Sequence, residues 1–565
     1  MTFDPTETDR RHMKPIRKLA WILSSWIFLL TTIASAPNAL ANIYATNIRI
    51  NGGTTNVAAS PGDAIRITFV LNEPASLGTT VQVHSGASTV TTLFFPAETQ
   101  GALRGLNEVT WDGLGPTGQP IPGGTYSVAV VPATSGYTNW TQITSDTGDP
   151  YTRAYGGRGI AVDRNVSSLY FGRVLVANSS QGPDPSMTPG DTVGILRLNS
   201  DTSGAEEVIS SADLDGYEWL GGDVSPWKLE VAADDYVYIT DLARGGLVNR
   251  WDPTISSNSL VPVLRQDNLR AGAALSGPAI TGSSTNLQLW MADTNQARVF
   301  KWSLTSTSVC AQNDTGIIVV SNAGPNLFDV AVDNAGNVYA CAFITNAGDP
   351  SPRVFKYPPY DPATNGGLPQ TNATWAVGNG DDTYAGASGL ALDPTGTYLA
   401  VAFHGPAGAF STNGNTKILY ATNGAVAANV DLGLEIQNDA NHDDTDVAWD
   451  AVGNVYYIDL YWAAWRIFSP PGTNQSTSMA SAMIRLSGPP TPPSFTKAAV
   501  SGTNMVLTFS GDSSDTPSSF TVLSSPTVTG TYAKANATVT AVSPGVFQAL
   551  VPMSGPAQYY RIRKP

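Results

Sequence analysis

The sequence predicts an all-β chain with a β-sandwich near each end and a β-propeller of about six blades between them. Three observations predict it. Charged residues make up only 13% of the 565, while Gly and Pro number 54 and 39. An average chain is about 25% charged, so this one reads as short strands joined by tight turns. Apolar and polar residues alternate over short stretches such as Ala64-Ile-Arg-Ile-Thr-Phe-Val70, the period of a half-buried strand. One unit also recurs along the middle of the chain: an apolar strand ending in Asp, a Gly-containing turn, then a second strand.

Residues 1–41 read as a secretory signal peptide. Arg10, Arg11, Lys14, Arg17 and Lys18 form a basic start, an apolar run covers Leu19 to Ile33, and Ala39-Leu-Ala41 is an A-x-A cleavage site. The expected location is secreted or cell-envelope (periplasmic or extracellular), by Sec-type export. No later segment is long and apolar enough for a membrane-spanning helix. The formal net charge of −15 speaks against nucleic acid as a partner, because phosphate binding needs a basic surface. Hydrophobic residues reach 42%, enough for real cores. The two cysteines, Cys310 and Cys341, are too few for a disulfide scaffold. They are either bridged or buried and inert.

Residues 42–137 form the first β domain. Its informative stretch is Asn107-Glu-Val-Thr-Trp-Asp-Gly113, then Thr117-Gly-Gln119, then Ile121-Pro-Gly-Gly-Thr-Tyr126 leading into a strand. Trp111 suits an anchor of the inter-sheet core, and Gly113, Gly118 and Gly123 permit turns with positive φ. The stretch resembles the Ig-like domain of the flagellar hook-capping protein family. That resemblance implies an Ig-like β-sandwich serving as a spacer, not a flagellar role.

Residues 150–486 carry the repeat. Its instances are Gly159–Asp163, Leu229–Asp234 with Tyr236–Asp241, Leu287–Asp293, Phe328–Asp333 with Gly336–Tyr339, Gly389–Asp393 with Gly396–Leu399, and Asp446–Asp450 with Gly453–Tyr456. They recur every ~50–65 residues, slightly longer than a usual propeller blade. Some continue into a third strand, most clearly Ala292-Asp-Thr-Asn-Gln-Ala-Arg-Val-Phe-Lys-Trp302. This pattern resembles the NHL-repeat type of six-bladed β-propeller. The resemblance implies a toroid with a binding surface at each end, and leaves the activity open, since such folds host enzymes and pure binders alike. Residues 487–493 are a Pro-rich linker, expected to be extended. Residues 494–565 alternate as a small C-terminal β-sandwich.

The densest polar cluster is Asn438-Asp-Ala-Asn-His-Asp-Asp-Thr-Asp446, just before a blade's innermost strand. Asp329 is the counterpart of Asp446 in another blade, and Asp223 is a looser one. Hard divalent cations want clustered carboxylates, so Asp223, Asp329, Asp443 and Asp446 are the candidate ligands of a cation such as Ca²⁺. The same positions hold Gly159, Gly389 and, in the second blade, Lys228. A solvated acidic loop is the other reading. Trp227, His442 and Trp462 are candidate ligand contacts, because aromatic faces stack on sugars and peptides. Trp in such a fold also fills the space between blades. No catalytic residues are assigned: the four His form no zinc motif with the Cys, and no nucleophile elbow or P-loop is present.

Two functions remain. One is an exported, non-enzymatic binding or scaffold protein whose propeller face engages a polysaccharide or a protein. The other is a metal-dependent hydrolase or lyase, lactonase-like, at the channel mouth.

Overall fold

The computed structural model describes residues 42–564 apart from 150, 184–188, 206–215, 325, 364–365, 406–415, 431–441, 488–491, 513–514, 554 and 556–557. The leader reading and the Asp439 end of the acidic cluster lie outside the described residues. The chain is all-β, 47% strand and 4% helix.

Six antiparallel sheets follow one another. The first has Gly157–Val162, Val174–Asn178 and Gly194–Leu198. The second has Leu229–Val231, Val237–Asp241, Leu247–Trp251 and Val261–Leu264. The third runs Leu275–Thr281, Gln288–Asp293, Arg298–Ser303 and Ile317–Ser321. Next come Leu327–Val332, Val338–Ala342, Val354–Tyr357 and Trp375–Val377 in the fourth, then Ala387–Leu392, Tyr398–Phe403, Thr416–Tyr420 and Val426–Asn429 in the fifth. The sixth joins Asp444–Trp449, Val455–Asp459 and Ala464–Ser469 to Thr141–Gln142, a strand from far upstream.

Each first strand touches the first strands of the sheets before and after it, and the sixth touches the first. The six therefore close a circle. Separate apolar cores fill the gaps between neighbours. Ile160, Val176, Tyr456 and Trp465 pack between the sixth and first sheets, and Leu175, Leu229 and Trp251 between the first and second. Tyr238, Met291 and Trp302 fill the next gap, and Val299, Val330 and Tyr357 the one after. Tyr339, Leu390 and Phe403, then Ala402, Trp449 and Tyr457, complete the circuit. Alternation decides this arrangement: successive residues of a strand face opposite sides, so each sheet supplies apolar rows to two cores.

Outside the third sheet, the Asp that follows the first strand caps the turn after it. Asp333 accepts from the backbone N–H of Ala335 (3.0 Å) and Asn337 (2.8 Å). Asp450 does the same for Val452 and Asn454, and Asp393 for Thr395 and Tyr398. In the third sheet, however, the unit at 287–293 is the second strand. The first is Leu275–Thr281, disguised by Ser276-Gly-Pro278, where the register shifts and Gly277 takes φ +62°.

The N-terminal unit is a two-sheet sandwich. Ala45–Ile50, Ile65–Leu71 and Gly105–Trp111 form one sheet. Gly124–Tyr137, Gly78–Ser85, Ser88–Phe95 and Val57–Ala59 form the other, together with Gly472–Gln475, Ser478–Met479 and Ile484–Leu486. Strands from 472–486, expected in the repeat region, finish the sandwich, and Thr141–Gln142, between the two expected domains, finishes the sixth sheet. Trp111 is buried between the sheets, its indole N–H donating to Leu114 O at 2.8 Å, with Tyr126 edge-on. Gly113 and Gly118 both take φ +72°, whereas Gly123 is not in the left-handed region. The C-terminal unit packs Ser494–Ser501, Asn504–Ser510, Val546–Pro552 and Thr538–Ser543 over Thr521–Ser525, Ala533–Lys534 and Tyr559–Arg563, around Phe509, Phe520 and Phe547. Cys310, in the connection between Arg298–Ser303 and Ile317–Ser321, and Cys341, in Val338–Ala342, are buried free thiols, and burial pushes Cys310 up to about 12.

Candidate functional site along the axis of the ring

Six first strands around one axis leave six unpaired edges facing inward. At one level the residues are Gly159, Lys228, Gly277, Asp329, Gly389 and Asp446, so glycine alternates with charge. The glycines are required by the neighbours. A Cβ at Gly277 would overlap the Asp329 carboxylate, one at Gly389 the Asp446 carboxylate, and one at Gly159 the backbone of Trp227 and Lys228.

The charged chains satisfy the open edges. Asp446 Oδ2 accepts from Ile160 N (2.9 Å), and Asp329 Oδ2 from Leu390 N (3.0 Å). Lys228 Nζ donates to Asp446 Oδ1 at 2.6 Å and to Thr445 O at 2.9 Å, and stands 3.7 Å from Asp329. All three side chains are buried. Burial opposes the Lys228 ammonium, but Asp446 and Asp329 outweigh it and raise its pKa. Burial pushes Asp329 up to about 7, with Lys228 pulling the other way.

Asp329 and Asp446 therefore converge, but on an ammonium. Lys228 fills the place where a cation would bridge them. Asp223 and Asp443 lie elsewhere, at the mouth where the first strands begin. The four acids proposed as one ligand set are split between two levels. Among the described residues no group of three or more His, Cys, Asp and Glu is placed to hold a metal ion.

The strand-start mouth carries a belt of side chains. Arg158 lies 3.4 Å from Asp223 and over the Trp227 ring (5.7 Å). Trp227 meets Phe328 edge-on, Phe328 stacks on Phe343 at 4.4 Å, and Phe343 meets His404 edge-on. His404 Nε2 lies 3.1 Å from Asp443 Oδ1. Ser276 joins the third sheet to the belt, accepting from the Trp227 indole N–H at 2.7 Å and donating to Phe328 O at 2.6 Å. All six sheets contribute.

Two polar atoms of this belt, Arg158 Nε and His404 Nδ1, are buried without a hydrogen-bond partner among the described residues, and Asp443 Oδ1 faces only His404. Burial is the leading cause of each shift here. It lowers His404 and Arg158, Arg158 itself adding to the His404 shift, and it pushes Asp443 up to about 7 with help from Asp459. Asp223 is held low, chiefly by the Ser180 hydroxyl that donates to it.

The proposed contact residues are placed as follows. Trp227 is in the belt but only 6% exposed. His442 is buried, its Nδ1 2.8 Å from Asp459, which Arg466 also pairs at 2.7 Å. Trp462 is half-buried beside the exposed Tyr461. Arg158, Phe328, Phe343 and His404 were not singled out as a group from sequence, because nothing local links residues so far apart.

Beyond Lys228, Asp329 and Asp446, at the ends of the first strands, a cavity of about 510 Å³ opens. Its walls include Ile160, Val231, Val330, Leu390 and Val447, its floor is the Lys228 trio, and Glu230 and Arg164 also line it.

No protein-family description and no curated protein matches this chain. Among solved structures, the calcium structure of Trichoderma reesei Carbohydrate-Active Enzymes Family AA12 is 10% identical, covers 60% of this chain and 97% of that one, and has a TM-score of 0.38. The iodide structure of the same family is 9% identical, with 60% and 99% covered and a TM-score of 0.34. Likeness that faint carries no functional information, so the chemistry of the two mouths is what speaks to function.

Proposed function

We propose that this chain is an exported, non-enzymatic binding protein, built as a six-bladed β-propeller with an Ig-like sandwich before it and a small sandwich after it. Its ligand is a polysaccharide, taken at the strand-start mouth. Six successive sheets with six separate cores and touching first strands support the propeller reading.

The observation that carries the ligand class is the belt of aromatic faces interleaved with Arg158, Asp223, His404 and Asp443. Sugar rings offer apolar C–H faces for aromatic stacking, and hydroxyls that both donate and accept. A mouth with donors and acceptors of both signs suits them better than it suits a single charged group. The metal-dependent hydrolase reading has less support, since an ammonium sits between Asp329 and Asp446.

Affinity electrophoresis against a panel of neutral and acidic polysaccharides tests this. Retardation by at least one polysaccharide is expected, lost in Phe343→Ala and His404→Ala and kept in Arg164→Ala at the opposite mouth. Unchanged mobility across the panel would overturn the proposal.

A further inference from the structure

The cavity at the strand-end mouth belongs to no part of the polysaccharide site. Its volume, about 510 Å³, lies in the range of small-molecule pockets. Apolar side chains that are not fully buried, Val166, Ile280, Val332 and Leu392, line it alongside polar groups.

Its charged groups differ in how much bonding capacity they retain. Lys228 is committed to Asp446 and Thr445 O. Asp329 and Asp446 accept from edge amides as well as facing Lys228. Asp333 and Asp393 cap their turns. Arg164 donates to Leu392 O at 3.2 Å, both residues lining the cavity. Glu230 is the exception: the half-buried residue lines the cavity, and its side chain shows no hydrogen bond or ion pair among the described residues. Burial pushes it up to about 7, with Arg164 opposing and Asp446 adding to the shift.

We infer that this cavity is a second binding site, for a small aliphatic ammonium compound whose hydrocarbon lies along the valine and leucine walls and whose cationic head pairs with Glu230. The surroundings select for that class. An anion would meet Glu230 and a floor of two carboxylates against the Lys228 ammonium and the Arg164 guanidinium, so negative charge prevails in the lining. A bare metal ion would find one free carboxylate where hard cations need six or more oxygens. A neutral hydrocarbon would displace water from Glu230 without giving its carboxylate a partner, which costs free energy.

Isothermal titration calorimetry at pH 7.5 with n-hexylammonium, hexan-1-ol and hexanoate tests the inference. A charge-assisted hydrogen bond in a desolvated site is worth about a tenfold gain or more in affinity, so hexylammonium should bind that much tighter than the other two. Glu230→Gln should remove the advantage while hexan-1-ol binding stays unchanged. The comparison of the three probes on the unaltered protein stands even if that variant does not fold. Equal or weaker binding of hexylammonium relative to hexan-1-ol, or no binding of any probe, would overturn the inference. Neither result bears on polysaccharide binding at the opposite mouth.

Discussion

At the scale of single residues, the axis of the ring shows how backbone edges dictate side chains. A strand edge that faces no neighbour leaves N–H and C=O groups to be satisfied. Asp329, Asp446 and Lys228 supply partners for Leu390, Ile160 and Thr445, and the intervening glycines make room. Lys228→Met should cost about 3–5 kcal/mol, because it leaves two buried carboxylates without their cation. Urea unfolding monitored by tryptophan fluorescence would show that loss as a lower midpoint. Gly389→Ala should cost about 1–3 kcal/mol by crowding the Asp446 carboxylate, measured in the same way. The residue types were visible in sequence: Gly159, Gly389, Lys228, Asp329 and Asp446 aligned in register. Their meaning was not, since the Lys228–Asp446 contact joins positions 218 apart and alignment gives no direction to a side chain.

At the scale of elements, two short strands bind distant parts of the chain together. Ser469 and Phe468 pair with Thr141 and Gln142, so the last sheet is completed by residues that precede the first. Ile484–Leu486 pairs antiparallel with Tyr126, Thr125 and Gly124 and parallel with Val57–Ala59. Ala482, Ile484 and Leu486 are buried in the core around Trp111. A chain ending at residue 471 should therefore be cut by trypsin within 42–137, while one ending at residue 487 should resist; limited proteolysis followed by mass spectrometry distinguishes them. Sequence patterning misses these strands for a physical reason. Thr141–Gln142 and Gly472–Gln475 are short and polar, and edge strands of that kind are stabilised by the ladder they join rather than by their own apolar alternation. The third sheet's first strand was hidden differently, because Ser276-Gly-Pro278 has turn composition and forms a bulge.

At the scale of the whole molecule, buried acids set the response to pH. Glu73, Glu230, Asp329 and Asp443 are pushed up to about 7, and Asp163 and Asp450 to about 6, burial being the leading cause in each. Their folded pKa values exceed those of the unfolded chain, about 4 for a carboxyl. Between those limits the folded state holds protons that the unfolded chain has released, so stability is full below the unfolded values and falls as pH rises through 6 to 7. Asp459 has the opposite sign: burial is outweighed by His442 and Arg466, its pKa is lowered, and its contribution is lost only as pH falls below the ordinary carboxyl range. The melting temperature should accordingly be higher at pH 5 than at pH 8, as differential scanning calorimetry at constant ionic strength would show.

The sequence by itself determined the all-β class, the repeating strand–Asp–turn unit and the burial of Trp111, because alternation, turn chemistry and aromatic size act within a few residues. Only the tertiary structure decided that Lys228 stands between Asp329 and Asp446, that Arg158, Trp227, Phe343, His404 and Asp443 share one mouth, and that 472–486 belongs to the N-terminal sandwich. Those facts depend on closing a circle of sheets, and closure brings together residues whose separation along the chain carries no trace of their separation in space.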